Sequence, residues 1–400
     1  MPSSIKNIFR KKFDPEHYKN SFLENNTVSL IHGGKEFFTL LKQMIDEASH
    51  SIHLQTYIFG DDKTGQSIAN ALIDAAKRGV VVYLLADGFA SQKLSKEFIN
   101  DLKKAGINFR FFEPLMKSRY FYFGRRLHHK VAVADGIKAL VGSMNIADRY
   151  NDLPGNKAWF DMALYIEGEV CAVLQSVCWN MWERKRNSLL PQEQATVYPI
   201  TEKDRVPARV SRNDWVKGKQ EVYRTYSAFF RLATENITIV CSYFLPGKIF
   251  RRQLIRAAAR GVAVRVVLAK TSDIKVVKDA ERYLYRWLVR NKINVYEYKP
   301  TILHAKMAVV DRHYVTLGSY NLNQLSNYAS IELNIDVKDE VFAKKVHQEI
   351  DAIIDKDCEA IDLSIYNTRL FSLKQFIQWS SYQFLRFLVM ISTFYYRQRE

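Results

Sequence analysis

One pattern of polar residues occurs twice in this chain and constrains its fold more than any other feature. Each copy starts with His-x-Lys, continues through an apolar run to an Asp, and reaches Gly-Ser-x-Asn seven residues later. The first copy consists of His128, Lys130, Asp135, Gly142, Ser143 and Asn145, and the second of His304, Lys306, Asp311, Gly318, Ser319 and Asn321. Because chance rarely matches six positions at equal offsets, we predict an internal duplication in which each copy supplies half of one site.

The apolar run between the Lys and the Asp predicts a buried strand in each copy. Side chains alternate between the two faces of a strand, so His128 and Lys130 share a face while His129 points the other way. The same rule places the Ser and the Asn of each copy on one face. Asp135 is separated from the Lys by an odd number of residues, which indicates that it faces away and is structural, and the second copy repeats this arrangement.

The residue types of the duplicated pattern indicate chemistry on an anion. Two histidines brought together supply a nucleophile and a general acid–base, a pair that suits splitting one displacement into two steps. Two lysines with Ser and Asn donors form a cage for an anion with several oxygens, such as a phosphodiester. The sequence contains no cluster of carboxylates or of Cys and His, so we expect a site without a metal or another cofactor. The duplication argues against two ordinary core histidines near surface lysines.

These residues resemble the signature of the phospholipase D superfamily, His-x-Lys-x4-Asp-x6-Gly-Ser-x-Asn, which occurs twice per active site. Both copies match it fully, and residues 28–360 resemble bacterial cardiolipin synthases of the class without N-terminal transmembrane helices. The resemblance implies a catalytic set drawn from both copies, namely His128, Lys130, Asp135, His304, Lys306 and Asp311. It also implies that Ser143, Asn145, Ser319 and Asn321 bind the substrate.

The reaction that the resemblance implies is transphosphatidylation. One motif histidine attacks a phospholipid phosphorus and releases the headgroup, the other protonates the leaving group, and an incoming alcohol then attacks the phosphohistidine. Phosphatidylglycerol as both donor and acceptor would give cardiolipin and glycerol, and phosphatidylethanolamine is an alternative donor. A phospholipase D-type hydrolase, a phosphodiesterase or nuclease of the same superfamily, and a non-catalytic membrane-binding protein are the other interpretations.

The strands and helices around the motif also repeat. The predicted strand Ile52–Phe59 matches Ile237–Phe244, and each is followed by a helix that ends in Ala-Ala-x-Arg-Gly-Val. Alternation of strands and helices is typical of an α/β fold with a largely buried sheet. We therefore predict two phospholipase D-like domains related by a pseudo-twofold axis, each a mixed sheet flanked by helices. The predicted divisions are a basic tail at 1–27, a first domain at 28–195, a linker at 196–214, a second domain at 215–360 and a C-terminal segment at 361–400.

The repeat also matches two acids, Asp161 and Glu332, each on a predicted strand after Gly-Ser-x-Asn. A carboxylate that accepts the proton of the far histidine nitrogen fixes the tautomer and stabilises the charged ring. Acids at these positions have this role in the superfamily, so we assign it to Asp161 and Glu332 and add both to the catalytic set. The alternative is a pair of surface acids on edge strands.

The formal net charge of +17 indicates an anionic partner, either nucleic acid or an anionic membrane surface. The four cysteines form no CxxC pair, which predicts free thiols in a reducing compartment.

Residues 115–126 form an insertion before His128 that mixes aromatic and basic residues. This composition suits a membrane interface or single-stranded nucleic acid, and an ordinary packed loop is the third interpretation.

The C-terminal segment favours the membrane. Residues 371–396 are rich in aromatic and aliphatic side chains, and Lys374 and Arg386 interrupt them too often for a bilayer-spanning helix. We predict an interfacial helix, with a helix that closes the core as the alternative. The expected partner is then phosphatidylglycerol in an anionic membrane, rather than nucleic acid. The expected location is the bacterial cell membrane, with peripheral or monotopic attachment at the cytoplasmic face.

Overall fold

A computed structural model describes residues 21–114, 125–183, 200–362 and 373–397, with side chains as far as residue 391. The helices are α1 (Lys35–Glu47), α2 (Lys63–Lys77), α3 (Lys96–Lys104), α4 (Glu169–Glu183), α5 (Glu221–Leu232), α6 (Lys248–Ala259), α7 (Lys275–Arg290), α8 (Gln324–Tyr328), α9 (Glu340–Asp357) and α10 (Leu373–Arg397). The strands of the first half are β1 (Asn26–His32), β2 (Ser51–Thr56), β3 (Val81–Asp87), β4 (Asn108–Phe112), β5 (Arg126–Leu127), β6 (Val131–Ala134), β7 (Lys138–Gly142) and β8 (Met162–Gly168). Those of the second half are β9 (Ala208–Asp214), β10 (Lys219–Gln220), β11 (Asn236–Cys241), β12 (Ala263–Ala269), β13 (Ile293–Tyr298), β14 (Lys306–Val310), β15 (Tyr314–Gly318), β16 (Ser330–Lys338) and β17 (Cys358–Ala360).

Two mixed sheets carry the fold, and they repeat one topology. The first has seven strands in the order β1-β8-β7-β6-β2-β3-β4. The second has ten, nine of them in the order β10-β9-β16-β15-β14-β11-β12-β13-β17. In each sheet three strands run parallel (β2-β3-β4 and β11-β12-β13), and three antiparallel strands follow (β6-β7-β8 and β14-β15-β16). The predicted α/β duplication is confirmed.

The matched Arg-Gly-Val sequences show how the repeat shapes local structure. Gly79 and Gly261 both have φ +93°, a left-handed conformation that favours glycine, so they end α2 and α6 in the same way. The arginines that precede these glycines bind the end of the previous helix in the chain. Arg78 donates to the carbonyl oxygens of Ile45 and Asp46, and Arg260 donates to those at the end of α5. These side chains satisfy carbonyl groups that a helix end leaves without partners.

The motif strands β6 and β14 lie at the centre of their sheets, and each has an antiparallel neighbour on both sides. They run antiparallel to β2 and β11, so the motif histidines lie at the edge where the parallel strands end. Both strands are completely buried, as their Val- and Ala-rich sequences predict. The edge where parallel strands end is therefore the place where both copies of the motif can present polar side chains.

The two halves meet through backbone pairing and a shared apolar core. β5, which leads into the first motif, pairs in parallel with β16 of the second half, and Phe160 forms a bridge with Leu303. The core between the sheets combines Leu174 of α4 with Val346 of α9. The predicted linker at 196–214 needs a correction, because Ala208–Asp214 forms β9 and pairs with β16. That part of the linker belongs to the second sheet.

Helix α10 packs on α7 through one face and exposes the other. Tyr382 is buried against Ala280 and Leu284, and its ring lies 5.0 Å from that of Tyr283. The outer face presents a row of exposed apolar side chains, namely Leu373, Phe376, Ile377, Trp379, Phe384, Phe387, Leu388, Met390 and Ile391. Within the described ranges, no helix has the length and apolar character needed to span a bilayer. The predicted N-terminal tail lies largely, and residues 115–124 entirely, outside the described residues.

Candidate active site

The two motif histidines are held by crossed contacts between the halves. Nδ1 of His128 donates to Oε2 of Glu332 over 2.8 Å, and Nδ1 of His304 donates to Oδ2 of Asp161 over 2.7 Å. Each histidine therefore pairs with the acid of the other half. Sequence reasoning identified both acids but assigned neither to a particular histidine.

The backbone fixes the same crossed arrangement. The N–H of His304 donates to the carbonyl of Phe160 over 2.7 Å, and the N–H of His128 donates to that of Ile331 over 3.0 Å. Phe160 and Ile331 directly precede the two acids, so one short strand contact sets the position of each histidine relative to its carboxylate. Neither half alone contains a complete histidine–carboxylate pair.

The charges of the pairs follow from burial and from the neighbouring lysines. Burial lowers the pKa of His128, and it lowers the pKa of His304 to about 4 with a further contribution from Lys306. Burial alone would raise the pKa of both acids. The neighbouring histidines and lysines outweigh burial and hold the pKa values of Asp161 and Glu332 below their usual range. With Nδ1–H donated to an ionised acid, each imidazole keeps its Nε2 lone pair.

The two lysines are buried beside the histidines. Nζ of Lys130 donates to the carbonyl of His128 over 2.9 Å. Nζ of Lys306 donates to the carbonyl of His304 and lies 3.3 Å from Nε2 of the same residue. Burial, with the charge of Lys306, lowers the pKa of Lys130 to about 7, and burial also lowers the pKa of Lys306. Two cations in a desolvated site favour the binding of an anion that compensates them.

The pKa of Lys130 leads to a pH prediction. Lys130 is cationic below its pKa of about 7 and neutral above it, so the free enzyme loses positive charge as the pH rises. Because kcat/KM reports groups of the free enzyme, we expect kcat/KM for an anionic substrate to fall as the pH rises through about 7. A short-chain soluble phospholipid is the appropriate substrate, since pH then cannot act through bilayer packing. A constant kcat/KM between about pH 6 and pH 9 would contradict the prediction.

The asparagines of the motif are positioned by the ends of the parallel strands. Oδ1 of Asn145 accepts from the backbone N–H of Ile58, and Nδ2 donates to the Tyr150 hydroxyl over 2.8 Å. Oδ1 of Asn321 accepts from the hydroxyl of Ser242 over 2.8 Å. The amide oxygens are thus satisfied, which orients the amide groups at the edge of the cage.

The motif serines have a different role from the predicted one. The hydroxyl of Ser143 donates to Oδ1 of Asp161, and that of Ser319 donates to Oε2 of Glu332 over 2.5 Å. Their protons are therefore committed to the acids that hold the histidines. The predicted contact between the serines and the substrate is corrected to a role in fixing the two carboxylates.

Asp135 and Asp311 lie at the far ends of the motif strands and do not reach the cage. Asp135 accepts hydrogen bonds from the backbone N–H groups of residues 49–51, and Asp311 accepts from those of residues 234–236. Both have left-handed backbones, with φ of 53° and 51°. Their inclusion in the catalytic set is corrected, because they tether the starts of β2 and β11. The structural role predicted from strand alternation agrees with this geometry.

His129 faces away from the cage, as strand alternation predicts. It is fully buried, and its Nδ1 lies 3.2 Å from Oε1 of Gln55. Burial lowers its pKa to about 3, so its ring is neutral. The adjacent histidines therefore differ completely in surroundings.

Aromatic residues that sequence reasoning missed line the cage. The Tyr57 ring lies 5.0 Å from His128 and 5.2 Å from Nζ of Lys130. Tyr150 and Trp159 flank His304, with ring centroids 5.1 and 6.0 Å away. Tyr57 directly follows β2, and Trp159 lies two residues before Asp161. Their positions in the sequence, beside a strand end and a motif acid, could have identified them as residues that line the cage.

At the end of the 115–126 insertion, Arg125 and Arg126 fit the interpretation of an ordinary packed segment better than that of a membrane interface. A terminal nitrogen of Arg125 lies 2.7 Å from the Asp214 carboxylate, and Arg126 lies 3.7 Å from that of Asp87. Asp87 also accepts from the backbone N–H of Leu127, one residue before the motif. These arginines therefore support the segment that positions His128.

Within the described ranges, no group of three or more His, Cys, Asp or Glu side chains is arranged to hold a metal ion. The described cysteines are free, and Cys171, Cys178 and Cys241 are buried. Burial raises the pKa of their thiols, which makes them poor nucleophiles.

Comparisons with known proteins agree with this geometry. A family model described as "Cardiolipin synthase, PLD-like domain" matches residues 41–182 and 226–354. The chain is 30% identical to cardiolipin synthase B of Escherichia coli (strain K12) over 363 residues, which cover 86% of this chain and 84% of that protein. It is 31% identical to cardiolipin synthase B of Salmonella typhimurium over 368 residues, covering 88% and 86%.

Among solved structures, phosphatidylserine synthase of Haemophilus influenzae Rd KW20 is similar over 93% of this chain and 96% of that one. The TM-score is 0.70 at 16% sequence identity, so this likeness concerns the fold. The duplicated mixed-sheet architecture is therefore shared with a protein of much diverged sequence.

Proposed function

Because the chain belongs to the family of phospholipase D-like cardiolipin synthases, it is a phosphatidyltransferase, and we propose that it joins two phosphatidylglycerol molecules through a phosphohistidine intermediate. The products are cardiolipin and glycerol. The observation that carries this proposal is the pair of crossed histidine–carboxylate contacts at one edge of the two sheets. They supply two imidazoles, one for covalent attachment and one for proton transfer.

The first step releases the headgroup of the donor lipid. Nε2 of one motif histidine attacks the phosphorus, and the bond from phosphorus to the glycerol oxygen breaks. The other histidine donates its proton to that oxygen. The carboxylate behind each ring stabilises the positive charge that the ring carries during the step.

The lysines offset the charge of the phosphodiester. Lys130 and Lys306 bring two ammonium groups to the cage, and Asn145 and Asn321 stand at its edge. An anion bound between the lysines cancels part of their charge, so the pKa of the neighbouring histidine rises toward its ordinary value. Substrate binding thereby prepares the protonated imidazole that the first step needs.

Incubating the purified protein with labelled phosphatidylglycerol and resolving the lipid products tests this proposal. We expect labelled cardiolipin and free glycerol in equal amounts. Phosphatidic acid as the main product would instead favour the hydrolase alternative. Since the cage is predicted to work without a metal, the assay includes excess EDTA. Activity that EDTA abolishes and one particular metal restores would contradict the mechanism.

The exposed face of α10 is the surface that we propose to hold the enzyme on the membrane. Leu385 of this helix and Leu245 pack against the same small apolar cluster between α7 and α10, and Leu245 forms a bridge with Asn323, two residues after Asn321 of the cage. The helix therefore lies beside the mouth of the site. Apolar side chains on its outer face and a formal net charge of +17 fit an anionic bilayer. Attachment at the cytoplasmic face of the cell membrane is part of the same proposal.

Two phenylalanines on this face provide a test. Phe384 and Phe387 are each 53% exposed, so replacing both with Asp should leave the fold intact while opposing insertion into lipid. We expect the double variant to lose flotation with phosphatidylglycerol vesicles and to turn over bilayer lipid at least about tenfold more slowly. Turnover of a short-chain soluble substrate should change little. The matched control replaces Leu232 and Val341, exposed apolar residues of α5 and α9, with Asp.

Flotation of the Phe384 and Phe387 double variant at the level of the intact protein would refute the proposed role of α10. Equal losses in the matched control would point to a general effect of added negative charge. Truncation after Ser364 is a second variant and should likewise release protein into the soluble fraction.

A further inference from the structure

The surroundings of the two motif histidines differ, although the cage itself repeats. His304 is flanked by Tyr150 and Trp159. Counted from the motif asparagine and the matched acid, the equivalent positions in the second half are Ser326 and Ser330. Tyr57 lies beside His128, but the aromatic wall formed by Tyr150 and Trp159 has no counterpart there, and this asymmetry can distinguish two substrates.

Arg149 lies on this aromatic wall. Its guanidinium carbon is 4.9 Å from the ring centroid of Trp159 and 5.4 Å from that of Tyr150. The backbone N–H of Trp159 donates to the Arg149 carbonyl over 2.9 Å, which joins the two residues firmly. Arg149 forms no ion pair with any described residue, whereas Arg125 and Arg126, on the other side, are paired with carboxylates. An exposed guanidinium without a carboxylate partner is available to an anionic ligand.

A hydroxyl and a carboxylate lie near the same wall. The Tyr243 hydroxyl donates to Asp273 over 2.7 Å and fixes this exposed acid. Burial and then Asp273 raise the pKa of Tyr243 above its usual range, and the nearby charge of Arg149 opposes the shift. Burial lowers the pKa of Lys306, and Asp273 is close enough to oppose that change. Nδ2 of Asn323, two residues after the cage asparagine Asn321, donates to the Tyr243 carbonyl over 3.4 Å, so Tyr243 and the acid that it holds lie beside the second half of the cage.

We propose that Arg149, Asp273 and Tyr243 form the binding site for the acceptor lipid. Arg149 binds the phosphodiester that the acceptor itself carries, and Asp273 accepts a hydrogen bond from the glycerol headgroup. The proposal rests on the proposed function and names the substrate contacts of the second step. A phosphatidylglycerol acceptor has its own phosphodiester three carbons from the attacking hydroxyl. Since the cage already holds one phosphoryl group, the second negative charge requires a cation outside it.

The second step follows from this placement. The acceptor hydroxyl lies beside His304, its oxygen attacks the phosphorus, and the bond from phosphorus to the histidine nitrogen breaks. The hydroxyl proton passes to Nε2 of His304, so His128 is the residue that carried the phosphatidyl group. The glycerol released in the first step occupies the same place but offers no phosphate to Arg149.

A competition between two acceptors tests the proposal. The intact protein and its variants receive short-chain phosphatidylglycerol together with labelled free glycerol, and cardiolipin and labelled phosphatidylglycerol are measured in one tube. We expect Arg149→Gln to lower the ratio of cardiolipin to exchanged glycerol by about ten- to a hundredfold, the loss typical of a hydrogen bond to a charged group. Arg149→Lys keeps the charge and should restore part of this ratio. Asp273→Asn should slow both reactions and leave the ratio nearly unchanged.

The control is Arg256→Gln. Arg256 is an exposed arginine in the last turn of α6. It should leave the ratio at the value of the intact protein. An unchanged ratio in Arg149→Gln, or an equal loss in Arg256→Gln, would overturn the acceptor site while leaving the proposed function intact. An intact protein that exchanges glycerol but makes no cardiolipin would refute the proposed function, and the acceptor site with it.

Discussion

Replacing either His128 or His304 with alanine is expected to reduce kcat/KM for phosphatidyl transfer by about a thousandfold or more, and replacing both should cost little more. The two imidazoles act as one unit, since attack by one requires proton transfer by the other. Once one imidazole is lost, the other can no longer contribute to the reaction, so its removal costs little more. Steady-state kinetics with a short-chain soluble substrate measures all three variants without interference from membrane binding.

His129→Ala is the matched control, because it removes an adjacent imidazole that faces away from the cage. Its burial means that the variant will lose some stability, so activity is compared per folded molecule. We expect an effect of less than about tenfold on kcat/KM. Equal losses for His129→Ala and His128→Ala in folded protein would contradict the assignment of strand faces.

Neutralising the crossed carboxylates is expected to have the next largest effect. Asp161→Asn and Glu332→Gln keep the size of each side chain but remove the charge that holds the Nδ1 proton of the partner histidine. An amide can present its NH₂ group to Nδ1 and select the wrong tautomer. We expect losses in kcat of about a hundredfold to ten-thousandfold, as for comparable histidine–carboxylate pairs.

Glu167→Gln is a suitable control for the carboxylate variants. Glu167 lies on β8, the strand that begins directly after Asp161, and accepts from the Tyr165 hydroxyl away from the cage. It should retain nearly full activity. If Asp161→Asn and Glu332→Gln were as active as this control, the crossed pairs would be structural contacts without a role in proton transfer.

Much of the site was predictable because its residues lie at fixed offsets on strands. Strand alternation correctly separated His128 from His129, and it indicated that Asp135 is structural. The matched positions of Asp161 and Glu332 were visible in the repeat. These inferences depend on local periodicity, which the sequence contains directly.

The crossed pairing was not predictable, because it depends on how the two halves pack. The alignment of Phe160 with Leu303 and of β5 with β16 sets which acid meets which histidine. The serines were misassigned for a related reason, since a hydroxyl near a predicted anion site has several possible partners. Only the packed arrangement shows that Ser143 and Ser319 donate to the carboxylates.

Composition identified the C-terminal helix as amphipathic, but it did not separate interfacial attachment from packing on the core. The structure combines the two, since Tyr382 packs on α7 while the opposite face remains exposed. Composition was misleading at Arg125 and Arg126, where basic residues near aromatic ones turned out to be ion-paired with acids of the fold. Charge patterns in a sequence do not reveal whether an acid distant in the chain neutralises them.

The most direct test of the account is to trap the covalent intermediate. Short-chain phosphatidylglycerol labelled in its phosphatidyl group is mixed with the enzyme, the reaction is stopped within one turnover, and the modified peptide is mapped by mass spectrometry. The account predicts one phosphatidyl group per chain, attached to His128 and lost as cardiolipin forms. A turnover that forms cardiolipin with no protein-bound phosphatidyl group, or with the group on a residue other than His128, would contradict it.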